Sequence, residues 1–169
     1  MILGYILGGL LVLIIMPSII YMGSNLLDHF YRIEITRNRL TQTIITIPLL
    51  LIGFMFGIWS IIIQNVIGKG GPLEISDIEI SPKTRNLVVT GPYRYTRNPM
   101  LFGTFLIYLA VAVFINSLNA ILLVILFMIF MLVFVVKKEE ARLVSDFGNQ
   151  YLEYRRKTSL IIPWFPLNR

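Results

Sequence analysis

The chain has 169 residues, 56% of them hydrophobic and only 14% charged, with a mean hydropathy of +0.77. Soluble domains are about half apolar and about a quarter charged, so this composition excludes an ordinary soluble domain, and the absence of cysteine excludes disulfides, thiolate metal sites and cysteine nucleophiles. The net charge of +6 is carried by a few segments, and a lone histidine, His29, argues against a histidine-based metal site or triad.

A helix needs about 20 mostly apolar residues to cross roughly 30 Å of hydrocarbon. Four blocks meet that requirement, approximately 2–22, 43–67, 100–115 and 118–136, the third being short enough to need a turn from its neighbours. The first block lacks a basic leader and exceeds the roughly 7–15 apolar residues of a signal-peptide core. It is therefore read as a retained membrane helix, kinked at Pro17, where a backbone hydrogen bond is lost. The connection 24–42 mixes aromatic, aliphatic and basic residues and is expected to prolong the flanking helices beyond the bilayer. In the second block, Gly53, Phe56, Gly57 and Ser60 provide small positions where a neighbouring helix can approach closely.

The breaker cluster Gly68-Lys69-Gly70-Gly71-Pro72 opens a long connection, 68–98. Structureless loops of that length are uncommon. Its Leu73, Ile75, Ile78, Ile80, Leu87, Val88 and Val89 instead suggest short extended segments packed on the helix ends. Asn116-Ser117 and Asn119 form a minimal turn between the third and fourth spans, which makes those spans an antiparallel hairpin. Their opposite ends, Arg97-Asn98-Pro99 and Lys137-Lys138-Glu139-Glu140, must then lie side by side.

The tail 137–169 begins with an amphipathic helix over about 138–157, in which Glu140, Leu143, Val144, Phe147, Tyr151 and Tyr154 recur at helical spacing. Gly148 weakens that helix and marks a bend. Arg155, Arg156 and Lys157 suit both the helix C-terminus and anionic headgroups, and Trp164 suits the membrane interface. Of the 15 Lys and Arg residues, 12 lie in the middle connection or the tail. The positive-inside rule places that side, with both termini, in the cytoplasm. These cations are read as meeting lipid phosphates, and nucleic acid is not expected as a partner. The expected fold is an all-α, polytopic membrane helical bundle of about four transmembrane helices, forming one domain over 1–169, with a cytoplasmic 68–98 loop and the C-terminal amphipathic helix.

Chemistry concentrates where the hairpin ends meet. Residues 91–103, GPYRYTRNPMLFG, combine two arginines, two tyrosines and two prolines at the mouth of a span. One reading is a well-made helix entrance, with Asn98 as N-cap, Pro99 at the first helical position and arginines on phosphates. The other is an anion site, in which Arg97, Asn98 and the free amides of the helix N-terminus hold a ligand carboxylate. In that case Tyr93 and Tyr95 offer aromatic faces to a base or a cation. Glu139 and Glu140 are either solvated helix charges or functional carboxylates, since acidic groups at a span boundary are costly. Consecutive residues point about 100° apart on a helix, so one can face the hairpin partner while the other pairs with an arginine such as Arg85, Arg94 or Arg97. An anion site, aromatic faces and a carboxylate suit a zwitterionic nucleoside such as S-adenosylmethionine, without selecting it.

The segments LVVTGPYRYTRNPMLFG and EEARLVSDFGNQYLEYRRKTSLIIPWF, separated by an apolar hairpin, closely resemble the isoprenylcysteine carboxyl methyltransferase family, which is related to the membrane phospholipid methyltransferases. The resemblance covers roughly residues 83–165. It implies an integral membrane enzyme that binds S-adenosylmethionine at the cytoplasmic face, releases S-adenosylhomocysteine and admits a lipophilic acceptor from the bilayer. Carried over by position, it implies a cofactor pocket of Arg85, Asn86, Leu87, Val88, Tyr93, Arg97, Asn98, Pro99, Met100 and Glu139. Catalytic duties would fall to Glu139, Glu140 and Arg97, chiefly orientation and electrostatics, with Glu140 a candidate base if the acceptor is an amine or hydroxyl. The family's common Arg-His-Pro is Arg97-Asn98-Pro99 here, and a frequent tyrosine is Phe102. An arginine that the prenylcysteine enzymes carry one turn before the glutamate is Val135. These departures leave the acceptor open. The competing readings are a membrane reductase of the sterol or steroid type using a nicotinamide cofactor, and a non-catalytic membrane protein anchored by both polar knots.

Overall fold

The computed structural model describes residues 2–69 and 86–164, with side chains from Ile6 onward in the first helix. The expected extended segments of the long connection fall largely within 70–85 and lie outside the described residues, as does Arg85. Helices α1 (Ile2–Leu10) and α2 (Met16–Phe30) are joined by a π-helical turn at Leu11–Ile15, and α3 (Arg39–Ile63) ends in a second π turn at Gln64–Gly68. Then come a 3₁₀ turn at Gly91–Arg94, α4 (Pro99–Ile115) and α5 (Leu118–Phe130). A third π turn, Met131–Val136, leads from α5 into α6 (Lys137–Phe147), followed by α7 (Asn149–Lys157).

Three continuous stretches, Ile6–Phe30, Arg39–Gly68 and Leu118–Phe147, are long and apolar enough to cross a membrane. The fourth, α4, has 17 residues and is about 25 Å long. The protein is a polytopic membrane helical bundle, as its composition implies. The helices run on past the expected spans, the first to Phe30, the second from Arg39 and the fourth past Val136 to Phe147, so the flanking helices are prolonged into the 24–42 connection as its composition suggested. A helix keeps its backbone bonds as readily in water as in lipid, and Lys137-Lys138-Glu139-Glu140-Ala141-Arg142 consists of good helix formers. The irregularity expected at Pro17 is displaced upstream. Pro17 occupies the second position of α2, and the wider π turn before it makes room for a ring that would crowd the preceding carbonyls.

Helices α3 and α4 are in backbone contact. A Cβ on Gly103 would lie 2.6 Å from the Gly53 carbonyl oxygen and 2.8 Å from the Gly57 nitrogen, and one on Gly53 would lie 2.9 Å from the Gly103 oxygen. Close approach of this kind replaces the hydrophobic effect as the source of helix association in lipid. One turn along, Phe56 meets Phe102 edge-on at 5.0 Å. On the other side of α4, a core of Ile20, Ile107, Tyr108, Ala112, Ala120 and Val124 joins α2, α4 and α5. The shortest of the four continuous apolar stretches, α4, is thus the central one.

The turn between α4 and α5 does more than reverse the chain. Asn116, in the left-handed region at φ 59°, accepts from the Ile35 and Thr36 amides and donates to the Thr36 carbonyl. Asp28 Oδ1 accepts from Ser117 Oγ at 2.8 Å and from Asn119 Nδ2 at 2.7 Å. Gln42 donates to the Val113 carbonyl at the end of α4. These bonds lock the 31–38 connection onto the hairpin. They also satisfy backbone groups that lipid could not.

Candidate active site

The site is assembled at the opposite end of the hairpin. The 3₁₀ turn begins at Gly91, whose φ of +61° suits a residue without a side chain, and a Cβ there would meet Ile63 at 2.9 Å. The turn therefore lies directly against the end of α3. It presents Tyr93, whose hydroxyl donates to Gln64 Oε1 at 3.3 Å and whose carbonyl accepts from the Tyr154 hydroxyl at 2.6 Å. Burial, followed by the negative charge of nearby Glu139, raises the Tyr93 pKa above its ordinary value. At neutral pH the ring therefore keeps its proton and acts as a donor.

Arg97 bridges three segments. Its Nη2 lies 2.8 Å from Glu140 Oε1, and its Nη1 donates to the carbonyls of Arg155 and Thr158 at 2.7 and 2.9 Å. Those carbonyls belong to the end of α7, so Arg97 is a cation at a helix C-terminus, the favourable end for positive charge. Its Nε is buried without a hydrogen-bond partner. Glu140 Oε1 also accepts from Tyr151 at 3.1 Å, and Glu140 Oε2 lies 3.8 Å from Arg155 Nη2. Both side chains are only 10% and 14% exposed, which strengthens the pair relative to one in bulk water. Of the arginines considered for pairing with a glutamate, Arg97 meets Glu140, while Arg85 lies outside the described residues.

The segment after α7 returns along the entrance of α4. The Arg97 amide donates to the Ser159 carbonyl at 2.9 Å, the Trp164 amide donates to the Tyr95 carbonyl at 2.9 Å, and Thr96 forms a parallel β-bridge with Ser159. Asn98 Nδ2 donates to the Leu160 carbonyl at 3.1 Å. Asn98 takes the expected N-cap position, its carbonyl accepting from the Phe102 amide, but its side chain makes no cap bond to α4. Its side-chain amide is turned instead toward the Leu160 carbonyl of the returning segment. Pro99 does take the first helical position and is buried, with Met100 half-buried behind it.

The remaining expected pocket residues divide into two groups. Asn86 closes the end of α3, its amide donating to the Gly68 carbonyl and its Nδ2 to the Ile67 carbonyl at 3.0 Å. Leu87 is half-buried and Val88 is buried close behind it. Glu139 is exposed on the first turn of α6, on the face next to that of Glu140, and its charge reaches Tyr93. The structure thus joins Arg97 to Glu140 and places Tyr93 near Glu139. Arg97 and Asn98, the residues expected to hold a ligand carboxylate, both donate to carbonyls of the tail, with Arg97 Nε left buried without a partner. Reading the chain alone missed Gln64, Thr158 and Ser159. Gln64 left one signal, as the first half of a polar Gln64-Asn65 pair at the end of an apolar run.

A family model described as phospholipid methyltransferase matches residues 41–150, from α3 into α7. Among solved structures, the eukaryotic intramembrane Ras methyltransferase ICMT (isoprenylcysteine carboxyl methyltransferase) is similar at 19% identity, covering 77% of this chain and 55% of that one, with a TM-score of 0.46. This chain therefore spans just over half the length of that protein. No curated protein matches. With more than half of its residues matched, including the whole α4–α5 hairpin and both polar knots, the chain belongs to the phospholipid methyltransferase family.

Proposed function

We propose that this protein transfers a methyl group from S-adenosylmethionine to a lipophilic acceptor that enters from the bilayer, at the cytoplasmic face, and releases S-adenosylhomocysteine. The observation that carries the reading is the division of labour between the two glutamates. Glu140 meets Arg97 and Tyr151, and Glu139, exposed on the adjacent face of α6, lies near enough for its charge to act on the protonated Tyr93. The donor set fits the cofactor's chemistry. Glu139 suits an ammonium or ribose hydroxyls, Tyr93 suits a base or a sulfonium, and the first-turn amides of α4 at Met100 and Leu101 suit a carboxylate. Asn86, Leu87 and Val88 would line the pocket along the end of α3.

When bound, S-adenosylmethionine supplies an electrophilic methyl group on sulfur. In-line displacement at such a centre depends chiefly on alignment, which contributes several kcal/mol to lowering a barrier. In this reading Arg97 and Glu140 hold the tail and α6 in place, so both are positioning residues. Glu139 supplies the charge that orients the ligand. If the acceptor is an amine or hydroxyl, the two adjacent carboxylates Glu139 and Glu140 are the candidates to take its proton. Sidedness follows from the distribution of Lys and Arg.

The reading is tested by calorimetry of S-adenosylhomocysteine binding to the full chain in lipid nanodiscs. Binding to the wild type, with at least tenfold weakening in Glu139→Ala and little change in Lys69→Ala, is the expected result. Absence of binding, or preferential binding of a reduced nicotinamide dinucleotide, would overturn it.

A further inference from the structure

We infer that Gln64 is a positioning residue of this site, acting through Tyr93, so that the end of α3 forms a third wall beside the two polar knots. The inference rests on the methyl-donor reading above. A glutamine at the end of an apolar span ordinarily does no more than reach for the interface. Here three observations set it apart. The helix leaves α geometry at this residue and continues as the π turn Gln64–Gly68, a distortion frequent at functional sites because it re-aims the side chains on it. Gln64 is half-buried, and its Oε1 receives the Tyr93 hydroxyl from a turn that is distant in sequence. Its neighbour Asn65 instead bonds back to the Ile61 carbonyl of its own helix at 2.9 Å.

Tyr93 is thereby located from both ends, by Tyr154 at the carbonyl and by Gln64 at the hydroxyl. Burial and Glu139 keep the hydroxyl protonated, so the bond has a fixed direction, with Tyr93 donating and Gln64 accepting. Removing the acceptor leaves the ring in place but frees its hydroxyl to rotate or to turn toward Glu139. The ligand then meets a differently oriented donor.

The test uses the full chain in nanodiscs, with S-adenosylhomocysteine as the probe, and compares wild type, Gln64→Leu, Tyr93→Phe and the double variant. Losing one neutral hydrogen bond weakens binding by about 2–10-fold, and this is expected for each single variant. The double variant is expected to bind no worse than Tyr93→Phe alone, because Gln64 acts through that hydroxyl. Ligand-free melting temperatures serve as the control for folding. Gln64→Met, unbranched and of similar length, replaces leucine if the branch disturbs the turn. Wild-type-like binding by Gln64→Leu or Gln64→Met, or losses that add in the double variant, would overturn the inference and leave the methyl-donor reading intact. Failure of the wild type to bind would overturn both.

Discussion

Arg97 at the entrance of α4 and Glu140 in the first turn of α6 form an ion pair at 2.8 Å, and Arg97 also closes the end of α7 through the Arg155 and Thr158 carbonyls. One guanidinium thus ties together the hairpin, the helix that follows it and the returning tail. Breaking a buried pair by removing one partner costs more than the pair contributes, because a charge is left behind. Arg97→Gln is therefore expected to lower stability by about 3 kcal/mol. Glu140→Gln, which can still accept hydrogen bonds, should lose less. The exchanged pair Arg97→Glu with Glu140→Arg should not recover wild-type stability, since the α7 carbonyls would then face a carboxylate. Denaturant titration of the protein in mixed micelles measures all three.

The glycines between α3 and α4 provide a second, purely steric test. Gly103→Ala puts a methyl group 2.6 Å from a backbone oxygen, and overpacking of this kind typically costs about 1–3 kcal/mol. A methyl group on Gly57 meets nothing within 4 Å, so Gly57→Ala should be close to neutral. Equal effects from the two substitutions would contradict the backbone contact between these helices.

Gly148 separates α6 from α7 at φ 53° and ψ −127°, a conformation open essentially to glycine alone. No atom lies within 4 Å of a Cβ built there, so any loss in Gly148→Ala is conformational. We expect about 1–3 kcal/mol and a looser junction between α7 and Arg97. Hydrogen exchange at the Arg97 and Trp164 amides, whose acceptors lie across that junction, reports the loosening.

Alkaline pH should expose the buried tyrosines. Burial first, then the charge of Glu140, raises the Tyr151 pKa, and burial likewise raises those of Tyr93 and Tyr154. A raised folded-state pKa means that the unfolded chain ionises first, so above the ordinary tyrosine range it binds fewer protons than the folded chain. Stability is then fully present below about pH 10 and falls as pH rises beyond it. Tyr151→Phe should flatten that fall, as measured by chemical denaturation between about pH 8 and about pH 11.

Much of the architecture is legible in the chain because lipid imposes simple demands. Long apolar blocks must become helices, and the short turn at Asn116-Ser117 forces a hairpin whose far ends meet. That argument alone brings Arg97 close to Glu140. It does not distinguish Glu139 from Glu140, since the choice depends on the rotation of α6, set by the π turn at Met131–Val136. Asn98 shows where local rules fail. Its type and position describe an N-cap, yet the tail carbonyl of Leu160 takes its amide.

Composition, block length and charge placement by themselves determined a multi-pass helical membrane protein with a polar site at one end of its hairpin. These are properties of the chain read in order, and burial in lipid acts on them directly. Only the tertiary structure decided which polar groups meet one another at that end. Each side chain can satisfy a limited number of bonds, and the returning tail, arriving from far along the sequence, engages Arg97, Asn98 and Glu140, while Gln64 at the end of α3 accepts from Tyr93.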